Sequence, residues 1–385
     1  MKSLDLDNKI LLTLKKNKIK KSSIHEPFFS NIEIKNIKGL IKKNSLGSFG
    51  KDLENFKIKL SKYTNSKYVV VLNSGTSALH LALKTIGIKK NDEVLMPSLN
   101  YIASANTTLY CGAVPHFVEI SGKTLGVDPN KLELYLSKIT KIKNNTLVNK
   151  ITKRKIKALI CLHTFGHSSE ILSIKKICKK YKIYLIEDAA EALGSYYKNR
   201  HLGTFGEIGI LSFNVNKIVT TIGGGAVLTS SKKIADKIFK LSNISKKPHP
   251  YKFVYDDLGY NYKTTNLNCT IGLAQLSKIN QFLRRKRKLY FKYKKMFSKF
   301  DSLEIFSEPK FSRSNYWLQT MILKRPSLKL LNKILKTLNE NGYGARPVWQ
   351  LLHNVNYLKK YPKTNLKVTE NFSKRIINLP SSSFL

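Results

Sequence analysis

Between Tyr68 and Thr229 the chain alternates short, densely apolar runs with amphipathic ones, and this rhythm restricts the possible folds more than any other feature. The runs Tyr68–Leu72, "DEVLMP", "AVPHFVEI", "IKALICLHTF", "KIYLIED", "IGILSFN" and "GAVLT" read as strands. Their apolar residues are consecutive, as expected of strands covered on both faces. Between them, Ala78, Ala82 and Ile86 recur at helical spacing before Gly87, and "EILSIKKICKKYK" is an amphipathic helix. Strands separated by helices predict an α/β unit around a mostly parallel sheet. Residues 138–155 are polar and basic and predict a surface excursion. The texture changes at Pro248-His249-Pro250, beyond which helices over about 265–297 and 327–341 are expected. With strands near "SNYWLQTMIL" and "GARPVW", this predicts a smaller α+β unit. The implied division is a basic tail over residues 1–24, loose or a short peripheral helix, a large unit over 25–255 and a small one over 256–385.

Composition excludes several classes. Hydrophobic content of 42% is too high for a disordered chain. No apolar run approaches the roughly 20 residues that span a bilayer. The patch Ile10–Leu14 is too short for a secretory core and has no cleavage site after it, so a cytoplasmic location without membrane association is expected. Cys111, Cys161, Cys178 and Cys269 form no CxxC pair, which speaks against a disulfide framework or a metal site. The net charge of +45 invites a nucleic-acid partner, but the excess is lysine spread along the chain and only nine residues are arginine. The densest cluster, Arg284-Arg285-Lys286-Arg287, falls in a helical run and reads as a solvated face. No nucleic-acid partner is therefore expected, although a positive field would attract an anionic substrate.

Three segments carry groups suited to chemistry. At Ser74-Gly75-Thr76-Ser77 a strand turns into a helix through small residues, which presents backbone N–H groups and the positive helix end to an anion. A purely structural N-cap has the same composition. Asp188 ends a hydrophobic strand, where ligands of open α/β sheets bind. It could pair with a protonated ring nitrogen, cap a helix or hold a magnesium ion. Ser212 and Lys217 lie where a strand gives way to irregular chain before Gly223-Gly224-Gly225. Such a segment lets a partly desolvated amine approach a carbonyl as nucleophile or base. In so lysine-rich a chain, only the surrounding pattern singles out Lys217.

The order of these pieces, a phosphate turn, the aromatic-bearing "PSLNYIASAN", the strand-end aspartate and Ser-x-x-x-x-Lys before TT-x-GGG, resembles the DegT/DnrJ-type sugar aminotransferases. "LGYNYKTTNLNCTIGLAQL" continues the resemblance, which covers about residues 25–385. It implies the fold type I, aspartate aminotransferase-like architecture, pyridoxal 5'-phosphate (PLP) as cofactor and a homodimer with shared active sites. Lys217 matches the lysine that bonds to the cofactor, and Asp188 the partner of its ring nitrogen. Thr76, Ser77 and Ser212 match phosphate binders, and Tyr101 the aromatic residue stacked on the ring, with ordinary packing as the alternative. Asn261 matches the asparagine that reaches the other subunit's phosphate. Glu191 stands at a position often Gln or His that contacts the cofactor's phenolic oxygen. A carboxylate there would be repelled by a phenolate, so Glu191 is either protonated or differently engaged. Relatives with histidine in place of the lysine are dehydratases, so Lys217 favours amino transfer.

A narrower resemblance lies in "IHEPFFS", "HTFGHSSEI", "PHPYKFVYDDLGYNY", "RSNYWL" and "RPVWQLLHNVNYLKKYP". These are similar to the aminotransferases of legionaminic-acid and bacillosamine-type pathways. The resemblance implies amination of a UDP-linked 2-acetamido-2,6-dideoxy-4-keto hexose with L-glutamate as donor. His163, Arg346, Trp349 and His353 are then candidates for donor or sugar contacts, with core packing as the alternative. The competing expectations are a 3-keto or differently linked sugar and, from another class, a nucleic-acid-binding protein on an inactive scaffold.

Overall fold

The computed structural model describes residues 5–385. Three helices come first, α1 (Leu6–Lys16), α2 (Asn31–Lys42) and α3 (Lys51–Thr64). The alternating region then runs β1 (Tyr68–Leu72), α4 (Gly75–Thr85), β2 (Glu93–Pro97), α5 (Ala103–Tyr110), β3 (Val114–Val118) and α6 (Pro129–Ile139). The hairpin β4 (Thr140–Lys143) and β5 (Thr146–Asn149) precedes β6 (Ile156–Leu162), α7 (Ile171–Tyr181) and β7 (Tyr184–Asp188). Two short strands, β8 (Tyr196–Tyr197) and β9 (Arg200–His201), lead to β10 (Ile208–Ser212), β11 (Gly225–Thr229) and α8 (Lys232–Ser242). After β12 (Lys246–Lys247) and β13 (Val254–Tyr255) come α9 (Asn266–Ser277) and α10 (Ile279–Phe297). The chain closes with β14 (Leu303–Ile305), β15 (Ser312–Arg313), β16 (Gln319–Leu323), α11 (Leu328–Glu340), β17 (Arg346–Pro347), α12 (Lys367–Ser373) and β18 (Ile376–Leu379).

Local chemistry explains the boundaries. The Ser74 hydroxyl caps α4 by accepting from the Ser77 N–H, and Gly87 stops it with a φ of +78°. Asp128 caps α6, with Pro129 in the first turn. Along the strands, successive apolar side chains enter opposite cores. Val69 and Val71 pack with α3, α6 and α7, while Val70 and Leu72 pack with α4 and α8. Leu159 and Cys161 face the first side, Ala158 and Ile160 the second. The uninterrupted hydrophobicity of these strands is thus the signature of a sheet buried between two helical layers.

The main sheet has the order β1-β11-β10-β7-β6-β2-β3 and is parallel except at β11, which is antiparallel to both neighbours. Register aligns the ends that matter. Leu72 and Ser212 both lie opposite Gly225, and Asp188 lies opposite Ile210 and Leu162. The turn after β1, the end of β7 and the exit of β10 therefore meet at one edge of the sheet.

A second sheet, in the order β14-β16-β18-β17, packs with α1, α10 and α11. The helix α1 is not a loose tail, because Ile10, Leu11 and Leu14 are buried against this unit. The polar run 138–155 is the expected surface excursion, a hairpin exposed over 141–145, and its base is anchored because the Asn149 amide and the Thr152 hydroxyl donate to the buried Glu93 carboxylate. The expected division at residue 256 precedes α9, which packs on α2 and α3, whereas the cluster around the second sheet takes in α1 and resumes only at Leu289. The basic cluster of α10 departs from a solvated face at one position. Lys286 is fully buried and donates to the carbonyls of Trp317 (2.9 Å) and Ser381 (2.5 Å).

Truncating the fully buried Leu14 to Ala should cost about 2–5 kcal/mol in denaturant unfolding. Leu12→Ala, at a position half exposed on the same helix, should change stability little. Equal small effects would mean that α1 does not belong to the folded core.

Candidate active site

At the aligned sheet edge lies a pocket of about 300 Å³. Its floor begins at the α4 N-terminus. The Ser77 hydroxyl donates to Asn73 Oδ1 (2.6 Å) while its N–H donates to Ser74 Oγ (3.0 Å). Ser77 is therefore buried behind the turn and braces it, whereas Thr76 lines the pocket. The Gly75 and Thr76 N–H groups find no acceptor among the described residues and point along the positive helix end. Ser212 stands beside them, its hydroxyl 3.3 Å from where a Cβ on Gly75 would lie. This corner can hold a phosphate-sized anion.

Asp188 forms the opposite wall. Its carboxylate accepts from the Ala190 N–H (3.2 Å) and the Ser104 hydroxyl (3.5 Å). Burial pushes its carboxyl upward, opposed by the Ala190 bond and the Lys217 charge. A cationic ring nitrogen beside it would complete the charge balance. The strand end is fixed from behind by Glu187, fully buried, which accepts from the Gly203, Phe205 and Gly206 N–H groups (2.9, 2.5 and 2.7 Å). Its remaining partner is His163 Nε2 at 3.0 Å. Despite burial, these bonds hold the Glu187 carboxyl below its ordinary value. His163 thus belongs to the support of Asp188 and does not line the pocket, which corrects its candidacy as a substrate contact.

Lys217 projects from the loop between β10 and β11. The loop is pinched at its neck, where the Phe213 N–H donates to the Gly224 carbonyl (2.8 Å) and the Thr221 N–H to the Phe213 carbonyl (3.0 Å). Lys217 Nζ sits 3.9 Å from the centre of the Trp317 ring and 3.5 Å from Glu191 Oε1. The other Glu191 oxygen accepts from the Phe165 N–H (2.8 Å), where Phe165 has a φ of +56°. Burial pushes the Glu191 carboxyl up to about 7, against the pull of Lys217. Within the chain itself, the contacts of the Glu191 carboxyl are thus the Lys217 amine and the Phe165 N–H.

Of the remaining candidates, Tyr101 is half exposed on the pocket rim with its ring edge-on to Trp349. Arg346 and Trp349 line an adjoining hollow of about 350 Å³. His353 is elsewhere, buried between the Ser98 hydroxyl (2.7 Å) and Glu370 (3.2 Å), so its candidacy is also corrected in favour of packing. Asn261 is exposed, and its carbonyl accepts from the Asn73 side chain (3.3 Å) beside the α4 turn. Sequence reasoning passed over Asn216 and Trp317 as individual residues. The Trp317 indole donates to the Asn216 carbonyl (2.8 Å), which ties the lysine loop to the second unit. "RSNYWL" had marked the segment, but nothing in it showed which side chain reaches Lys217.

The profile of the DegT/DnrJ/EryC1/StrS aminotransferase family matches residues 29–385. The chain belongs to this family. It is 33% identical over 365 residues to the GDP-perosamine synthase of Escherichia coli O157:H7, covering 93% of this chain and 92% of that protein. It is 31% identical over 354 residues to the UDP-4-amino-4,6-dideoxy-N-acetyl-beta-L-altrosamine transaminase of Campylobacter jejuni, covering 91% and 90%. Its fold is shared with Helicobacter pylori PseC, an aminotransferase involved in the biosynthesis of pseudoaminic acid, at a TM-score of 0.84, 23% identity and 94% coverage of each chain. The aminotransferase TlmJ of Streptoalloteichus hindustanus superposes at 0.86, with 22% identity and 95% coverage of each. The protein is accordingly a PLP-dependent sugar-nucleotide aminotransferase of fold type I, with a sugar substrate and an amino donor. This displaces the alternative of a nucleic-acid-binding protein on an inactive scaffold. Among the described residues no helix is long and apolar enough to cross a membrane.

The two tryptophans of the chain, Trp317 and Trp349, both line the site, so intrinsic fluorescence reports on it. Glu191 should be mostly protonated below about pH 7 and ionised above it. The cofactor-free protein should show a fluorescence transition near that pH, and Glu191→Gln should abolish it. A transition with the same midpoint in the variant would assign the titration to another group.

Proposed function

We propose that this aminotransferase moves the amino group of L-glutamate onto the 4-keto carbon of a UDP-linked 2-acetamido-2,6-dideoxy hexose, within a legionaminic-acid or bacillosamine-type pathway. The observation that carries amino transfer is the Lys217 amine, held between Glu191 and Trp317 in one pocket with Asp188 and the α4 turn. The substrate class rests on the segment resemblances and on the names of the relatives, one of which is a transaminase named for a UDP-linked 4-amino sugar. A GDP-linked 4-keto sugar is the second reading, favoured by the 33% identity to a GDP-perosamine synthase.

In this reading the Gly75 and Thr76 amides, the Thr76 hydroxyl and Ser212 would hold the phosphate of PLP. Asp188 would pair with its ring nitrogen, and Tyr101 would cover the ring from the rim. The bound cofactor supplies an electron sink that allows the C–H bond beside the donor amine to ionise. Lys217 Nζ takes the proton leaving the donor α-carbon and returns one in the same region when the sugar is aminated, so ping-pong kinetics follow. Glu191, protonated, can donate to the cofactor's phenolic oxygen and, ionised, holds Lys217 in place. Trp317 and Trp349 keep water from the face on which Lys217 works.

The homodimer belongs to the same reading. Tyr251, Phe253 and Leu258 are 81%, 76% and 70% exposed just before Asn261 and its neighbouring turn. A second copy covering these side chains would bring Asn261 to a phosphate across the interface.

Lys217→Ala should lower turnover at least about a thousandfold, although some PLP should still bind through the remaining contacts. Near-normal activity would sink the assignment. In wild type, the absorbance of the PLP-loaded protein should shift to the pyridoxamine form on adding L-glutamate, and the keto sugar should reverse it. Sedimentation should give a dimer; a fully active monomer would refute the shared site.

A further inference from the structure

His25 lines the hollow of about 350 Å³ that adjoins the cofactor pocket and shares Asn216, Trp317 and Trp349 with it. The histidine is held rigidly. The Gly344 N–H donates to the Ser22 carbonyl (2.8 Å), the Ser381 N–H to the Ile24 carbonyl (2.8 Å), and the Glu26 N–H to the Ser382 hydroxyl (2.8 Å). Backbone bonds on both sides therefore fix the segment that carries the ring. Only 7% of His25 is exposed, and neither ring nitrogen makes a well-formed hydrogen bond, although the Asn216 carbonyl lies close enough to pull on the ring. The buried Oδ1 of Asn216 in the same hollow also lacks a partner. His163 and His353 have their nitrogens satisfied, whereas His167, enclosed against Phe306 and Tyr316, does not; what sets His25 apart is that its unpaired nitrogens line a hollow beside the cofactor pocket.

The charge around the ring decides what it can bind. Burial, then the Lys286 and Lys217 charges, hold the imidazole well below its ordinary pKa, with a small opposing pull from the Asn216 carbonyl. That carbonyl already accepts from the Trp317 indole. A neutral imidazole offers one donor and one acceptor, the complement of a hydroxyl or a secondary amide. It offers no charge to a donor carboxylate, for which the exposed Arg346, which also lines the hollow, is the better partner.

We propose that His25, with Asn216, contacts an uncharged hydrogen-bonding group of the acceptor sugar, a hydroxyl or an acetamido group, and so determines sugar specificity. The inference rests on the amino-transfer reading above and deepens it by assigning the sugar's place beside the cofactor.

The test separates the two half-reactions in the PLP- and pyridoxamine-loaded protein. The donor is L-glutamate; the acceptor probes are UDP-2-acetamido-2,6-dideoxy-4-keto hexose and GDP-4-keto-6-deoxyhexose, which carry an acetamido group and a hydroxyl at C2. His25→Phe keeps an aromatic ring, somewhat larger, and removes the nitrogens. It should leave the melting temperature unchanged or raised, leave the glutamate half-reaction within about twofold, and raise the half-saturating sugar concentration about ten- to hundredfold. His25→Gln, which retains a donor and an acceptor, should recover most of that loss. A larger effect on the UDP sugar points to the acetamido group, and a larger effect on the GDP sugar to the hydroxyl. The proposal is overturned if His25→Phe binds the sugar as wild type does, or if it melts earlier with both halves equally slowed. If the wild type converts neither sugar, the substrate reading falls and takes this inference with it.

Discussion

A Cβ on Gly225 would lie 2.4 Å from the Ser74 carbonyl carbon, so only glycine lets the start of β11 pass against the turn leaving β1. That contact draws three pieces together. The N-terminus of α4 is set beside the end of β10, Ser212 is brought to the free amides, and the loop between β10 and β11 must double back through its pinched neck. Because β11 runs antiparallel between two parallel neighbours, the loop before it opens at the carboxyl edge, where Asp188 also ends. The position of Lys217 follows from these constraints, with Trp317 as its outer stop.

Buried polar groups do much of the remaining positioning. Glu187 is charged and enclosed, a state that requires several donors, and it has three backbone amides and a histidine. The result is a rigid end to β7, which matters because Asp188 must present its carboxylate at a fixed point. Lys286 plays the corresponding part from the second unit. Its amine spans the carbonyls of Trp317 and Ser381, linking the residue beneath Lys217 to the chain that holds His25 in place. Two distant units thus converge on one amine through a short set of hydrogen bonds.

The lysine excess looks different once the fold is known. It is spread over solvated helix faces and loops alike, where its effect is a positive field that draws anionic sugar nucleotides inward. Lys217 and Lys286 are the exceptions that shape chemistry. The motif around Lys217 sets it apart in sequence, whereas nothing local marks Lys286, which only burial in the fold distinguishes.

The sequence by itself determined the layered α/β architecture, because consecutive apolar residues can be buried on both faces only in a covered sheet. It also marked the α4 turn, Asp188, Ser212 and Lys217, since glycines, small hydroxyls and a strand-end carboxylate at those places restrict the backbone whatever surrounds them. Tertiary structure decided what depended on distant partners. His163 and His353 look like ligands in isolation, but Glu187 and Ser98 claim them for packing. The helix α1 could be called a tail until α11 and the second sheet covered Ile10 and Leu14. Trp317 and His25 reach the site from segments far along the chain, and no local periodicity records such a meeting. What a residue is made of is written locally, whereas which groups remain unpaired in a cavity is settled only when the whole chain has packed.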